Sequence, residues 1–159
     1  MKRVVINIFT DGSCHTQLNI GGWAAICFFG NEKIILKGKE TNTTHNRMEL
    51  LAVIKAIDFA VEKFKNASLT IHTDSQYVFR IPERMEKLTK NNFITKKGNE
   101  LHNNDLLETL IKQIKTHKIE FVKVKAHQKQ ENGIVNYNTE VDVLARQMVR
   151  EAVGEGNTR

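Results

Sequence analysis

The chain has 159 residues, 40% hydrophobic and 26% charged, which is enough for one well-packed domain and too few for two of ordinary size. A formal net charge of +6 and a pI near 9.4 favour an acidic partner, of which nucleic acid is the commonest for a small basic protein. Two cysteines, Cys14 and Cys27, are too few for a disulfide framework and lack the spacing of a zinc site. No run approaches the ~20 apolar residues of a membrane span, and the basic start MKRVVINIFTDG turns polar at Asn7 before a signal-peptide core can form. A soluble, cytoplasmic protein with reduced thiols is expected.

Residues 3–10 alternate, with Val4, Ile6 and Ile8 on one face and Val5 and Phe9 on the other, so a strand is expected to end at Asp11-Gly12-Ser13. Gly21-Gly22 opens a second apolar stretch over 23–29. After Gly30-Asn31 a third runs through Ile34, Ile35 and Leu36, and three strands joined by short turns predict an antiparallel meander. Leu50, Val53, Ile54, Ile57, Ala60, Val61 and Phe64 then recur at helical spacing, with Thr43 or Thr44 as the cap and Glu49 in the first turn.

Residues 69–73 form a short predicted strand that stops at Asp74, followed by a helix from Ser75. Pro82, the only proline, suits the first turn of a second short helix, PERMEKL. Asn103 or Asn104 can cap the helix DLLETLIKQIK, residues 119–124 make the last strand, and Val141, Leu144, Ala145, Met148 and Ala152 mark a terminal helix. Strand, helix, strand connections imply parallel pairing beside the meander, hence a mixed sheet covered by helices.

Four carboxylates stand in apolar surroundings: Asp11, Glu49, Asp74 and Asp142. Each has an ordinary structural explanation. Asp11 could supply a turn oxygen, Glu49 a helix-dipole charge, Asp74 or Ser75 a cap, and Asp142 a surface pair with Arg146. Together they point to a shared cation, since burying several ionised acids is otherwise costly. Acids at the carboxyl ends of parallel strands lie where α/β sheets place their sites. Oxygen donors favour magnesium or manganese over zinc, and two such ions are the usual device for displacement at phosphorus.

The motifs TDGSC at 10–14, NRMEL at 46–50, TDSQYV at 73–78 and NxxxDxLAR at 138–146 resemble type 1 ribonuclease H, in family order and over roughly residues 4–150. The resemblance implies a ribonuclease H-like five-stranded mixed sheet flanked by helices, with the catalytic domain over residues 1–153 and a flexible tail over 154–159. It implies an endoribonuclease that hydrolyses the RNA strand of RNA–DNA hybrids by a two-metal-ion mechanism, leaving 5′-phosphate and 3′-hydroxyl ends. Two Mg²⁺ ions, with Mn²⁺ as a possible substitute, are expected: Asp11 between both, Asp142 completing the site of the water-activating ion, and Glu49 and Asp74 holding the second. His127, after the last strand, matches a histidine that assists proton transfer or product release, with Ala126 where the family usually has Gly.

The same resemblance assigns substrate contacts. Cys14, Asn46 and Gln76 match positions facing RNA 2′-hydroxyls in the minor groove, with His45 where the family often has Asn. Thr44 and Asn103 match residues that grip a DNA phosphate, although Asn42 stands in place of a basic helper. Segment 80–97 holds six basic residues against two acidic ones, among them Arg84, Lys87, Lys96 and Lys97, and resembles the family's basic protrusion. That protrusion usually presents tryptophans, whereas the only one here is Trp23; Met85, Leu88 and Phe93 are the nearest apolar substitutes. The turn HTQLNI replaces a glycine- and proline-rich version, which affects the expected contact of Gln17.

The expected partner is the hybrid itself, with no membrane, no required protein partner and a monomeric state. A non-catalytic hybrid-binding module of the same fold is the alternative, and it would be expected to have lost one of the acids. A transposase or junction-cutting nuclease of similar fold is a third reading, disfavoured by the TDSQYV and NRMEL contexts.

Overall fold

A computed structural model describes residues 4–90, 103–125 and 136–157. The elements in chain order are β1 (Val4–His15), β2 (Ile20–Phe29), β3 (Glu32–Glu40), α1 (His45–Lys63), β4 (Ala67–Thr73), α2 (Gln76–Phe79), α3 (Ile81–Lys90), α4 (Asn104–Thr116), β5 (Lys118–Lys123) and α5 (Tyr137–Asn157). The expected order holds, and the five strands form one mixed sheet in the order β3-β2-β1-β4-β5. β1, β2 and β3 are the antiparallel meander, while β1 with β4 and β4 with β5 are parallel.

Strand alternation sorts the core into two layers. Ile6, Ile8, Ala25, Cys27, Leu69 and Ile71 face the apolar stripe of α1, where Leu50, Val53, Ile57 and Ala60 are buried, and α4 closes this side through Leu107 and Leu110. On the other face Ala24 and Ile26 pack against Val141 and Ala145 of α5, flanked by Phe9 and Phe28. Trp23 is buried with Met48 and Ala52, lying over Gly38, its neighbour across the β2–β3 ladder.

Several boundaries differ from the expectation. β1 does not end at Asp11: its antiparallel ladder with β2 continues from Asp11↔Ala24 to His15↔Ile20, whereas its parallel ladder with β4 stops at Thr10↔Thr73. The first acid therefore sits inside a strand, at the point where one neighbouring strand has ended. Glu49 falls in the second turn of α1, not the first, because that helix already begins at His45. Thr44 is the cap, its hydroxyl accepting the Arg47 N–H at 3.2 Å, while Thr43 is buried instead.

Ser75, not Asp74, caps α2 by accepting the Val78 N–H. Pro82 occupies the first turn of α3, as expected. Asn103 takes the cap position of α4 without capping it by its side chain; its Nδ2 donates to the Tyr77 hydroxyl at 3.1 Å. α5 continues through Gly154 to Asn157, into the segment expected to be a tail.

Candidate active site

The four acids reach one cleft from four elements. Asp11 comes from inside β1, Glu49 from α1, Asp74 directly after β4, and Asp142 from the second turn of α5. The cleft has a volume of ≈ 430 Å³ and lies at the carboxyl end of the parallel β1–β4 pair. α5 is tethered there by Asn138, whose Nδ2 donates to the Lys125 carbonyl at 3.1 Å, and β5 is held to β4 beyond the ladder by Val124 N–H to Thr73 carbonyl at 2.9 Å.

Asp11, Glu49 and Asp74 form a tight cluster, offering one ligand atom each within 4.8 Å of one another. Asp11 and Glu49 are only 4% and 2% exposed. Burial, then the Glu49 carboxylate beside it, pushes the Asp11 carboxyl up to about 11, with Asp74 and Asp142 acting in the same direction. Glu49 is raised as well, mainly by burial, although it accepts from Asp11 and from the Gly12 N–H, which pulls the other way. Without a cation, Asp11 thus keeps a proton that it shares with Glu49.

This donor set fits a hard divalent cation. It offers only carboxylate oxygens, crowded and desolvated enough that two of them resist ionisation until positive charge arrives. Asp142 is outside that mutual group of three, yet its carboxyl is within hydrogen-bonding reach of Asp11. Its Oδ1 pairs with Arg146 Nε at 3.3 Å, one helical turn along α5, so the surface pair foreseen from the sequence exists inside the cleft wall.

A profile of the family described as RNase H matches residues 3–150. The chain belongs to the ribonuclease H family. Ribonuclease H of Caldicellulosiruptor saccharolyticus is 39% identical over 153 residues, covering 95% of this chain and 99% of that one. Ribonuclease HI of Xylella fastidiosa is 41% identical over 143 residues, covering 89% and 90%. The fold is likewise that of solved ribonucleases H. LC9-RNase H1, a type 1 RNase H with the type 2 active-site motif, superposes with a TM-score of 0.80 at 20% identity over 95% of this chain and 74% of its own. LC11-RNase H1, solved in complex with RNA/DNA hybrid, gives 0.68 at 16% identity over 93% and 99%. With its clustered acids, this member of the ribonuclease H family is a metal-dependent endoribonuclease.

The expected substrate residues divide into three groups. His45, Asn46 and Gln76 line the same cleft as the acids. Cys14 does not; its Sγ lies 3.8 Å from the Thr43 carbonyl, and burial raises its thiol pKa. Thr44 and Asn103 sit at the starts of α1 and α4, and those helices are clamped together by Arg47, which holds Asp105 through two bonds of 2.9 and 2.8 Å. This ion pair lifts the Arg47 pKa and lowers that of Asp105.

On α3, Arg84 places its guanidinium 6.0 Å from the Tyr77 ring centre, and Lys87 is exposed. Met85 and Leu88 are not presented outward as tryptophan substitutes. Leu88 is buried and Met85 packs against the same core as α4, because α3 turns its apolar stripe inward. His127, Lys96, Lys97 and Phe93 lie outside the described residues.

The sequence reading missed two groups that shape the site. The Arg47 and Asp105 clamp joins residues 58 apart, with no local pattern to announce it. In the sequence, Gly12 stands out only as turn punctuation. In the structure a Cβ there would meet the backbone of Met48 and Glu49, with only 2.6 Å to the Met48 carbonyl carbon; the TDGS glycine is what lets β1 press against α1.

Proposed function

We propose that this chain hydrolyses the RNA strand of RNA–DNA hybrids, leaving 5′-phosphate and 3′-hydroxyl ends, with two Mg²⁺ ions, or Mn²⁺ in their place, held by its four acids. The observation that carries the reading is the Asp11, Glu49 and Asp74 cluster, whose ligand atoms lie within 4.8 Å and whose central acid is pushed up to about 11 by burial and its neighbours. When bound, such ions supply a water of lowered pKa and charge stabilisation for in-line displacement at phosphorus.

The protein's part is to place oxygen donors on both sides of the scissile phosphate. Asp11 would be the donor common to both ions, Asp142 would help hold the one that activates water, and Glu49 and Asp74 would hold the one that stabilises the leaving oxygen. Water oxygen bonds to phosphorus as the bond from phosphorus to the 3′-oxygen breaks, and that oxygen leaves with a proton as a hydroxyl. His127 is assigned to proton transfer or product release.

Asn46, Gln76, His45 and Cys14 are assigned to the minor groove, where a 2′-hydroxyl distinguishes RNA. Thr44 and Asn103 are assigned to a DNA phosphate, and Arg84, Lys87, Lys96 and Lys97 to the backbone beyond it. With no tryptophan on α3, binding is expected to be strongly electrostatic and salt-sensitive. LC11-RNase H1, of the same fold, was solved with an RNA/DNA hybrid, which supports this partner.

The test is incubation of purified protein and Mg²⁺ with end-labelled hybrid, duplex RNA and duplex DNA of one sequence. Cutting confined to the RNA of the hybrid, with 3′-hydroxyl ends, is the expected result. Equal cutting of duplex RNA, or hybrid binding without any cutting, would overturn the proposal.

A further inference from the structure

The Gly12 backbone is the joint between the two most buried acids. Its N–H is shared between Asp11 Oδ1, at 3.0 Å, and Glu49 Oε1. Its carbonyl is held in turn by His45 Nε2 at 3.0 Å. A carbonyl oxygen can only accept, so Nε2 carries the proton. His45 opens α1 and Glu49 follows four residues later, on the same face of the helix. One helix therefore holds the two peptide groups that flank the Gly12 Cα, one by its N–H and the next by its carbonyl.

That double grip has a consequence for the acids. Were only the N–H held, φ and ψ of Gly12 could change with the next peptide group left free, which would let the N–H turn towards one carboxylate and away from the other. With the next peptide group pinned at its carbonyl as well, both dihedral angles of Gly12 are restrained, the N–H keeps its orientation, and its sharing fixes Asp11 and Glu49 relative to each other. Gly12 itself has no room to shift towards α1, since the Met48 backbone already fills the place of a side chain.

We infer that His45 is a positioning residue: by holding the Gly12 carbonyl it sets the spacing of the Asp11 and Glu49 carboxylates, and so the affinity of the site for a divalent cation. This is a different role from the minor-groove contact that the family resemblance gives position 45. It rests on the proposed function only in taking these acids as cation ligands.

Side-chain reach separates the two roles. A glutamine amide nitrogen reaches about where the imidazole Nε2 lies, whereas an asparagine nitrogen reaches only Nδ1. His45→Gln should therefore preserve the grip, and His45→Asn, the residue frequent in the family, should lose it together with His45→Phe.

The experiment is calorimetric titration of the full chain with Mn²⁺ in the absence of nucleic acid, with the Gly12 amide resonance and hybrid cleavage recorded for the same proteins. His45→Phe and His45→Asn are expected to weaken Mn²⁺ binding about 10-fold, the loss typical of an outer partner of a metal ligand, and to shift the Gly12 resonance. His45→Gln should stay within about twofold of wild type on both readings. Should His45→Phe fold poorly, the contrast of Asn with Gln decides alone.

Wild-type affinity in His45→Asn, or a loss in His45→Gln equal to that in His45→Asn, would overturn the inference. So would a wild-type protein that takes up no Mn²⁺. If wild type binds Mn²⁺ but leaves hybrid intact, the proposed function fails while the metal and amide readings still decide the role of His45.

Discussion

The two walls of the cleft set the same chemical group in different surroundings. On the β1 and α1 wall, Asp11 and Glu49 are almost fully buried and crowd one another. On the α5 wall, Asp142 keeps a side chain 21% exposed and is paired with Arg146. The first wall carries too little positive charge and holds a proton in its place. The second already has a partial counter-charge, on a side chain that can swing into solvent. Cation binding should therefore begin at the buried wall, with Asp142 joining as Arg146 gives way.

The sharpest way to break this comparison is Asp11→Asn. Cleavage should fall about 10³-fold or more, equivalent to roughly 4 kcal/mol of transition-state stabilisation, while hybrid binding by fluorescence anisotropy stays near wild type. Asp142→Asn removes a charge that Arg146 already offsets, so its loss in single-turnover rate should be smaller, about 10- to 100-fold. Equal losses in the two variants would mean that the walls do not differ.

The third effect is on stability against pH in metal-free protein. The Asp11 carboxyl is raised from 3.8 to about 11 on folding, so above pH 3.8 the folded state binds more protons than the unfolded one. Stability should then fall as pH rises from there towards the folded value, with a slope from this group of at most about 1.4 kcal/mol per pH unit. Asp11→Asn should flatten that slope in chemical denaturation at a series of pH values, and so should saturating Mg²⁺ with wild type. A slope unchanged in the variant would place the proton elsewhere.

The smallest effect belongs to Arg146→Ala. Freed from its partner, Asp142 should favour cation binding slightly, raising Mg²⁺ affinity by less than about threefold, as expected for a half-exposed pair. Weaker Mg²⁺ binding in this variant would reverse the role given to Arg146.

Much of this was legible in the residues themselves. The apolar stripes of α1 and α5 and the alternation of β1 and β4 are local periodicities, each set by one face turned towards a core. Asp74 was correctly placed at a strand end because Thr73 closes a run of alternating residues. Asp11 is not at one: its backbone still has a partner in Ala24, thirteen residues along the chain and beside it only once β2 folds back. Met85 and Leu88 stand nearest to where the resemblance expects outward tryptophans, but an apolar residue in a segment does not show what its side chain meets, and here it meets the core.

By itself the sequence determined the order of elements, the four acids and the family motifs that carry them, because these depend on neighbours along the chain. Tertiary structure alone decided that a glycine N–H would be shared by two acids, that Arg47 would clamp Asp105, and that the Asp142 and Arg146 pair would stand in the wall of the cleft facing a buried acid that keeps a proton. These depend on distances across the fold and on how much water each group loses, and burial is a property of the packed chain rather than of any segment of it.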